Sequence, residues 1–473
     1  MRLPTRSKHS PVALSLLLAL AACGGSASSS ASHAPTGTPS GERAISSASA
    51  TSTQSASAKV GPVDSAPDPL DAIVAIPKSP ATDDETRQFA TGMNGFAVEF
   101  YKTVKKEPNF VYSPYSAATA FALVYGAAKG ETASQMRKTL HITLPQDRYH
   151  AAVNGLAKAL DKGAKASGYK LNVANALWGS KRMHFAPDFL TLTKETYQSP
   201  LTQVDFTNPA SAVGTINGWA SEHTAGKIPV ILSDTDIDPQ ATTFVLTNAI
   251  YFKGDWQRQF TKTRTQKGDF FLGSATEKQQ AWLMHDQTEL RYAEDGLAQV
   301  VELPYKGESL SLVVVLPKKV DGLPAVEKAL SPELLASWTS ALATRDVILT
   351  LPRFKMEPPR MNLVPPLGEL GMEAPFAVDA DFEKMGKVDC DSDEICNVRL
   401  QKAVQKAMIE INEEGSEAAA VTAIVGGTTI TSVRPEPPPP VVFKADHPFV
   451  FFLRDRASGA VLFMGRLSAP PTP

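Results

Sequence analysis

A chain of 473 residues with 43% hydrophobic and 20% charged positions has the material for a sizeable core and roughly one to three domains, so wholesale disorder is excluded. Lysine and arginine number 47 against 49 aspartates and glutamates, a formal charge of −2 that supplies no global field for nucleic acid or an anionic membrane. Three cysteines are too few for a disulfide-rich miniprotein, and no Cys-x-x-Cys or His-Glu-x-x-His spacing supports a metal site.

Residues 1–22 are laid out as a secretory signal, with Arg2, Arg6 and Lys8 ahead of an apolar run from Val12 to Ala22. That run is too short to cross a bilayer, which takes about 20 residues. It ends Leu20-Ala21-Ala22-Cys23-Gly24, which resembles the bacterial lipobox, so Cys23 is expected to carry acyl chains. Each buried methylene contributes about 0.8 kcal/mol, and several chains hold firmly where one does not. Residues 23–82 are dominated by Ser, Ala, Gly, Thr and Pro and are expected to form a flexible tether. The expected product is exported and lipid-anchored to a bacterial membrane, at the outer membrane or cell surface, or extracellular.

One folded body is expected from 83 to 469, with a tail at 470–473. Phe89, Met93, Phe96, Phe100 and Val104 recur at steps of three and four, the stripe of an amphipathic helix that Pro108 closes. Asn109 to Ser116 reads as a short strand running into a helix, with Ser113 as N-cap and Pro114 as first residue. Strand runs follow at Thr243 to Phe252, Leu310 to Leu316, Val347 to Leu351, Val441 to Phe443, Phe449 to Leu453 and Val461 to Met464. Helical patterns lie chiefly before residue 240. Helices first and strands later, without regular alternation, predict an α+β body rather than a doubly wound sheet.

Ordered blocks then identify a family. They are Asn109 to Leu140 (NFVYSPYSAATAFALVYGAAKGETASQMRKTL), Val204-Asp205-Phe206, Ile216 to Ile228 (INGWASEHTAGKI), Thr243 to Trp256 (TFVLTNAIYFKGDW) and Val301 to Lys318. Ile348 to Lys355 (ILTLPRFK), Leu400 to Ala420 (LQKAVQKAMIEINEEGSEAAA) and Phe443 to Leu467 complete the series. In this order and spacing the chain resembles the serpins. The resemblance implies helices packed around a large central β-sheet A, smaller sheets B and C, and an exposed reactive-centre loop at about 413–440. It also implies a monomeric inhibitor of serine proteases, with cysteine proteases as a further target class, that needs no cofactor, metal or nucleic acid and has no catalytic residues of its own. The alternative is a non-inhibitory serpin-fold binding or chaperone-like module on the same tether, cut without trapping its attacker.

Taken alone, Glu413-Glu414-Gly415-Ser416-Glu417-Ala418-Ala419-Ala420 reads as a turn opening an Ala-rich helix. The resemblance makes it the hinge of a loop that enters sheet A after cleavage. Alternate residues of an inserted strand face the core, here Ser416, Ala418, Ala420, Thr422, Ile424, Gly426 and Thr428, all uncharged. No proline interrupts Glu413 to Arg434, so each backbone N–H there is free to join a ladder. Family spacing places the cleaved bond at Thr429-Ile430, whose β-branched, uncharged residues point to elastase-like or subtilisin-like targets. A polyproline stretch, Pro437 to Pro440, lengthens the far side of the loop as a stiff spacer and leaves neighbouring bonds within 426–434 in play.

The resemblance further assigns Ser113, Ser116 and Asn248 to the shutter, the polar cluster beneath the point where sheet A parts, and Trp256 to the breach, where insertion begins. The shutter position usually held by histidine is Gln405, which does not ionise near neutral pH, so opening is expected to be less pH-sensitive. Cys390 and Cys396 flank a short acidic insertion and are expected to pair as a local clamp worth roughly 2 kcal/mol, free thiols being the alternative. Asp234-Thr235-Asp236-Ile237-Asp238 begins like a calcium loop, but Pro239 and Val245 occupy the positions of the turn glycine and the bidentate glutamate.

Overall fold

The computed structural model describes residues 74–105, 107–199, 201–389, 398–416 and 438–472. Its first helix, Asp83–Val104, starts where side chains can replace missing backbone partners. The Glu85 N–H donates to Thr82 Oγ1 (3.2 Å) and the Thr82 N–H donates to the Glu85 carboxylate (2.8 Å), a reciprocal cap. Phe89, Met93, Phe96 and Phe100 then line the buried face, and the helix stops ahead of Pro108. Thr82→Ala removes the side-chain acceptor and should lower stability by about 1 kcal/mol, read as a lower urea midpoint at unchanged slope. An unmoved midpoint would show that water replaces the cap.

Packing begins before this helix. Val74 and Ala75 are buried and Ile76 packs against the main core, so the last part of the segment expected to be tether is folded onto the body. At the other end the buried Pro470 accepts a hydrogen bond from the Gln279 amide, which docks the start of the expected tail.

Sheet A has seven strands. In spatial order its main path runs Phe354–Met356, Leu400–Ile411, Phe244–Asp255, Lys170–Ser180 and Thr202–Val204. Met361–Asn362 adds to the Leu400 strand and Gly415–Ser416 to the Phe244 strand. The Phe244 strand is buried along almost its whole length, as its continuous apolar run demands of a strand covered on both faces. It pairs in parallel with the Leu400 strand from Phe244↔Leu400 to Tyr251↔Met408, so the seam between them is closed. Alternation divides the core. Phe244, Leu246 and Ile250 face the main cluster, whereas Val245 and Ala249 face a second one under the helix Pro209–His223.

The smaller sheets B and C that the resemblance implies are joined into one hydrogen-bonded sheet of nine strands, eight on its main path and Gln266–Phe271 beside it, because the long strand Lys278–Glu294 pairs with neighbours along its whole length. All six strand runs read from sequence are strands, at Phe244–Asp255, which leaves Thr243 outside, and at Leu310–Pro317, Ala343–Pro352, Val441–Lys444, Phe449–Asp455 and Val461–Leu467. Helices also occur after residue 240, at Leu323–Ala329, Pro332–Ala341 and Val364–Glu369, each with a proline in its first turn. They are too short to show a long hydrophobic period. The helix suggested by the bare hinge sequence does not start at Gly415, where the chain is strand.

Candidate functional site

Two polar groups mark sheet A, one at the end of the seam and one beneath its middle. At the end, the Leu400 strand turns at Asn412. Asn412 Oδ1 accepts from the N–H groups of Glu414 (3.0 Å) and Gly415 (3.1 Å), a side-chain mimic of a turn. Gly415 then adopts φ 142° and lies so close to the Phe244 strand that a Cβ would sit 2.1 Å from the Gly254 carbonyl oxygen. Only glycine fits.

This approach lets Gly415 and Ser416 pair antiparallel with Asp255 and Gly254, the direction an inserted strand would take. Ser416 is 0% exposed, and its hydroxyl lies 3.0 Å from that of Tyr305. Burial pushes the Tyr305 phenol well up, so it stays protonated as a hydrogen-bonding partner. Trp256 stacks on Tyr305 with centroids 4.4 Å apart. Its backbone N–H donates to the Glu414 carbonyl (2.9 Å) and its indole to that of Asn412 (2.9 Å). Glu414 pairs with Lys262, whose pKa the carboxylate raises, and Glu413 lies 3.6 Å from Arg353. The second carboxylate oxygen of Glu414 is buried without a hydrogen-bond partner among the described residues, a local cost.

Beneath the middle of the seam, Ser113 caps the helix Pro114–Tyr125. Its hydroxyl accepts from the Ser116 N–H (3.0 Å) and donates to the Leu462 carbonyl (2.5 Å). Gln405, on the Leu400 strand, grips the same residue at both ends. Its Oε1 accepts from the Ser113 N–H (2.9 Å) and its amide donates to the Ser113 carbonyl (2.9 Å) and to Asn248 Oδ1 (2.7 Å). Asn248, on the Phe244 strand, donates in turn to Ser116 and Asn175. The four expected shutter residues therefore form one buried network across the seam.

Asn175, Tyr305 and Asn412 belong to these groups but were not singled out from sequence. An asparagine between Ala174 and Ala176 in the strand Lys170–Ser180 was the available signal for the first. Cys23, Glu417, Ala418, Ala419, Ala420, Thr429, Ile430, Cys390 and Cys396 lie outside the described residues. His447 is structural, bonded to Asp446 (2.9 Å) and the Pro317 carbonyl (2.8 Å).

A family model described as serpin (serine protease inhibitor) matches residues 91–470. Leukocyte elastase inhibitor of Bos taurus is 36% identical over 396 residues, covering 81% of this chain and 100% of that protein. Serpin B3 of Homo sapiens is 37% identical over 384 residues, covering 77% and 94% respectively. The crystal structure of Serpin48, a highly specific serpin of the insect Tenebrio molitor, superposes with a TM-score of 0.69 at 30% identity over 81% of this chain and 98% of the other.

Proposed function

The chain belongs to the serpin family, and from that premise we propose that it inhibits a serine protease by suicide trapping. The target's own serine attacks the Thr429 carbonyl, the Thr429–Ile430 C–N bond breaks, and Ile430 leaves as a new amino terminus while Thr429 stays esterified to the protease. Insertion of the freed loop then drags the acyl-enzyme away before water completes hydrolysis. Protease-distorting loop insertion is an established switch of this family.

One observation carries the reading: a closed, parallel seam whose neighbouring hinge residues, Gly415 and Ser416, already lie in the register of the strand to be added. About a dozen further residues, at roughly 0.5–1.5 kcal/mol net per hydrogen bond plus apolar burial, would release on the order of 10 kcal/mol. Displacing reacting groups by about 1 Å costs roughly a hundredfold in rate, so this is ample to disable a triad.

The uncharged Thr429-Ile430 pair and the relative named leukocyte elastase inhibitor support an elastase-like or subtilisin-like target. The lipobox-like Leu20-Ala21-Ala22-Cys23 supports acylation of Cys23, which would tether the inhibitor to a bacterial membrane. Incubation with elastase and subtilisin should yield an SDS-resistant conjugate and a released peptide beginning at Ile430. Another amino terminus would move the bond, and cleavage with no conjugate would refute trapping.

A further inference from the structure

The end of sheet A away from the hinge carries a second set of cross-seam bonds, with no part in cutting the loop. After the helix Pro209–His223 the chain runs as a strap, 224–243, into the Phe244 strand. Ile228, Ile231, Leu232 and Ile237 of the strap share the second core with Val245 of the Phe244 strand and Val404 of the Leu400 strand. Asn217 pins the strap to the helix, accepting from the N–H groups of Ile231 (2.8 Å) and Leu232 (3.0 Å).

Asp236 of this strap has a side chain 8% exposed, and Lys402 of the Leu400 strand holds its Oδ1 at 3.1 Å. Its Oδ2 pairs with Arg360 and accepts from the Ser233 N–H (2.8 Å) and hydroxyl (2.9 Å). Arg360 precedes Met361–Asn362, which pairs with the far edge of the Leu400 strand. Alongside, the register slips between Leu400 and Lys402. Gln401 Oε1 there accepts from the Thr243 N–H (3.2 Å) and hydroxyl (3.1 Å), and its amide donates to the Ala241 carbonyl (2.5 Å). Thus one carboxylate and one amide tie the lead-in of the Phe244 strand to the Leu400 strand. An added strand separates those two by a further spacing of about 4.8 Å, more than contacts of these lengths tolerate.

We propose that Asp236, Lys402 and Gln401 form a terminal clamp that sets the speed of the last stage of loop insertion, and with it the share of attacks that end in a trapped protease. They act as positioning residues, remote from the bond being cut. The clamp rests on the insertion reading. Burial raises the Asp236 carboxyl, but Arg360, Ser233 and Lys402 outweigh it and hold it at about 2. Its contribution is therefore complete above the ordinary aspartate value and is lost only as pH falls through about 2. Mild acid leaves the clamp shut, and substitution is the way to open it.

The test uses the full chain and a synthetic peptide of residues 416–429, SEAAAVTAIVGGTT, whose uptake into sheet A is followed by tryptophan fluorescence and by the rise in Tm. Trp178 and Trp219, 5.5 Å apart in the second core, report on the strap. Asp236→Asn, Lys402→Met and Gln401→Ala should each speed uptake by about threefold to tenfold. They should also reduce the number of inhibitor molecules cleaved per protease trapped. Arg148→Ala breaks the Arg148–Glu85 pair (2.6 Å), which lies outside the strap, and should lower Tm without changing the uptake rate. Uptake rates equal to wild type in the clamp variants, with only Tm lowered, overturn the proposal. A wild type that takes up no peptide overturns the insertion reading and the clamp with it.

Discussion

Replacing Ser416 with arginine should convert the chain from inhibitor to substrate. Ser416 is 0% exposed and shares a 3.0 Å contact with the hydroxyl of Tyr305, whose ring stacks on Trp256. A guanidinium there would have to take the space of a small, fully buried hydroxyl. Its burial costs several kcal/mol, and it is the first inward-facing residue that an entering loop must seat. Cleavage at Thr429-Ile430 should proceed at the wild-type rate, since that bond lies well along the loop. The covalent conjugate should fall by at least about a hundredfold, which needs only about 2.7 kcal/mol of added barrier to insertion. The nicked variant should also lack the upward shift in Tm of the nicked wild type. Ser416→Thr, small and hydroxylated, should retain trapping. Stoichiometric trapping by Ser416→Arg would mean that insertion does not pass through this hinge.

Why such a site was partly legible is a matter of where its information resides. Runs such as TFVLTNAIYF announce strands because a strand covered on both faces needs unbroken apolar residues, and this one lies at the centre of sheet A. The hinge is harder. Ala and Glu favour helix locally, and only the neighbouring Phe244 strand, which the Gly415 backbone approaches too closely for any Cβ, makes the segment extended. Ser113, Ser116, Asn248 and Gln405 are singled out by the ordered family blocks, and they share one hydrogen-bond network beneath the seam. Asn175 and Tyr305 were missed because their roles arise from residues distant in sequence: Asn175 meets Asn248, and Tyr305 meets Ser416. The late helices carried a usable signal, a proline in each first turn, as in Ser331-Pro332 with its serine cap.

The shutter supplies the second large effect. Gln405 is 2% exposed and satisfies three buried groups at once: both backbone groups of Ser113 and the Asn248 carbonyl oxygen. Gln405→Ala leaves the Ser113 N–H and the Asn248 carbonyl oxygen without partners, while the Ser113 carbonyl keeps the Ala117 N–H (3.1 Å). At about 1–3 kcal/mol for each buried unsatisfied group, partly relieved by a water, the intact fold should lose roughly 3 kcal/mol. Because these bonds join the Leu400 strand to Asn248 across the seam, the variant should also lose inhibitory capacity on storage as uncut loops enter the sheet. Gln405→His separates geometry from charge. A neutral imidazole has one donor and one acceptor and can keep two of the three bonds, but a protonated ring has no acceptor for the Ser113 N–H. Its pKa should therefore be lower in the folded protein than in the unfolded chain. The histidine variant keeps its remaining stability above the unfolded value of about 6.5 and loses it progressively as pH falls below that. Between about pH 5.5 and 8 the wild-type inhibition rate should show no inflection from this position, while the variant's profile bends below about 6.5. Parallel profiles would place the pH response elsewhere than beneath the seam.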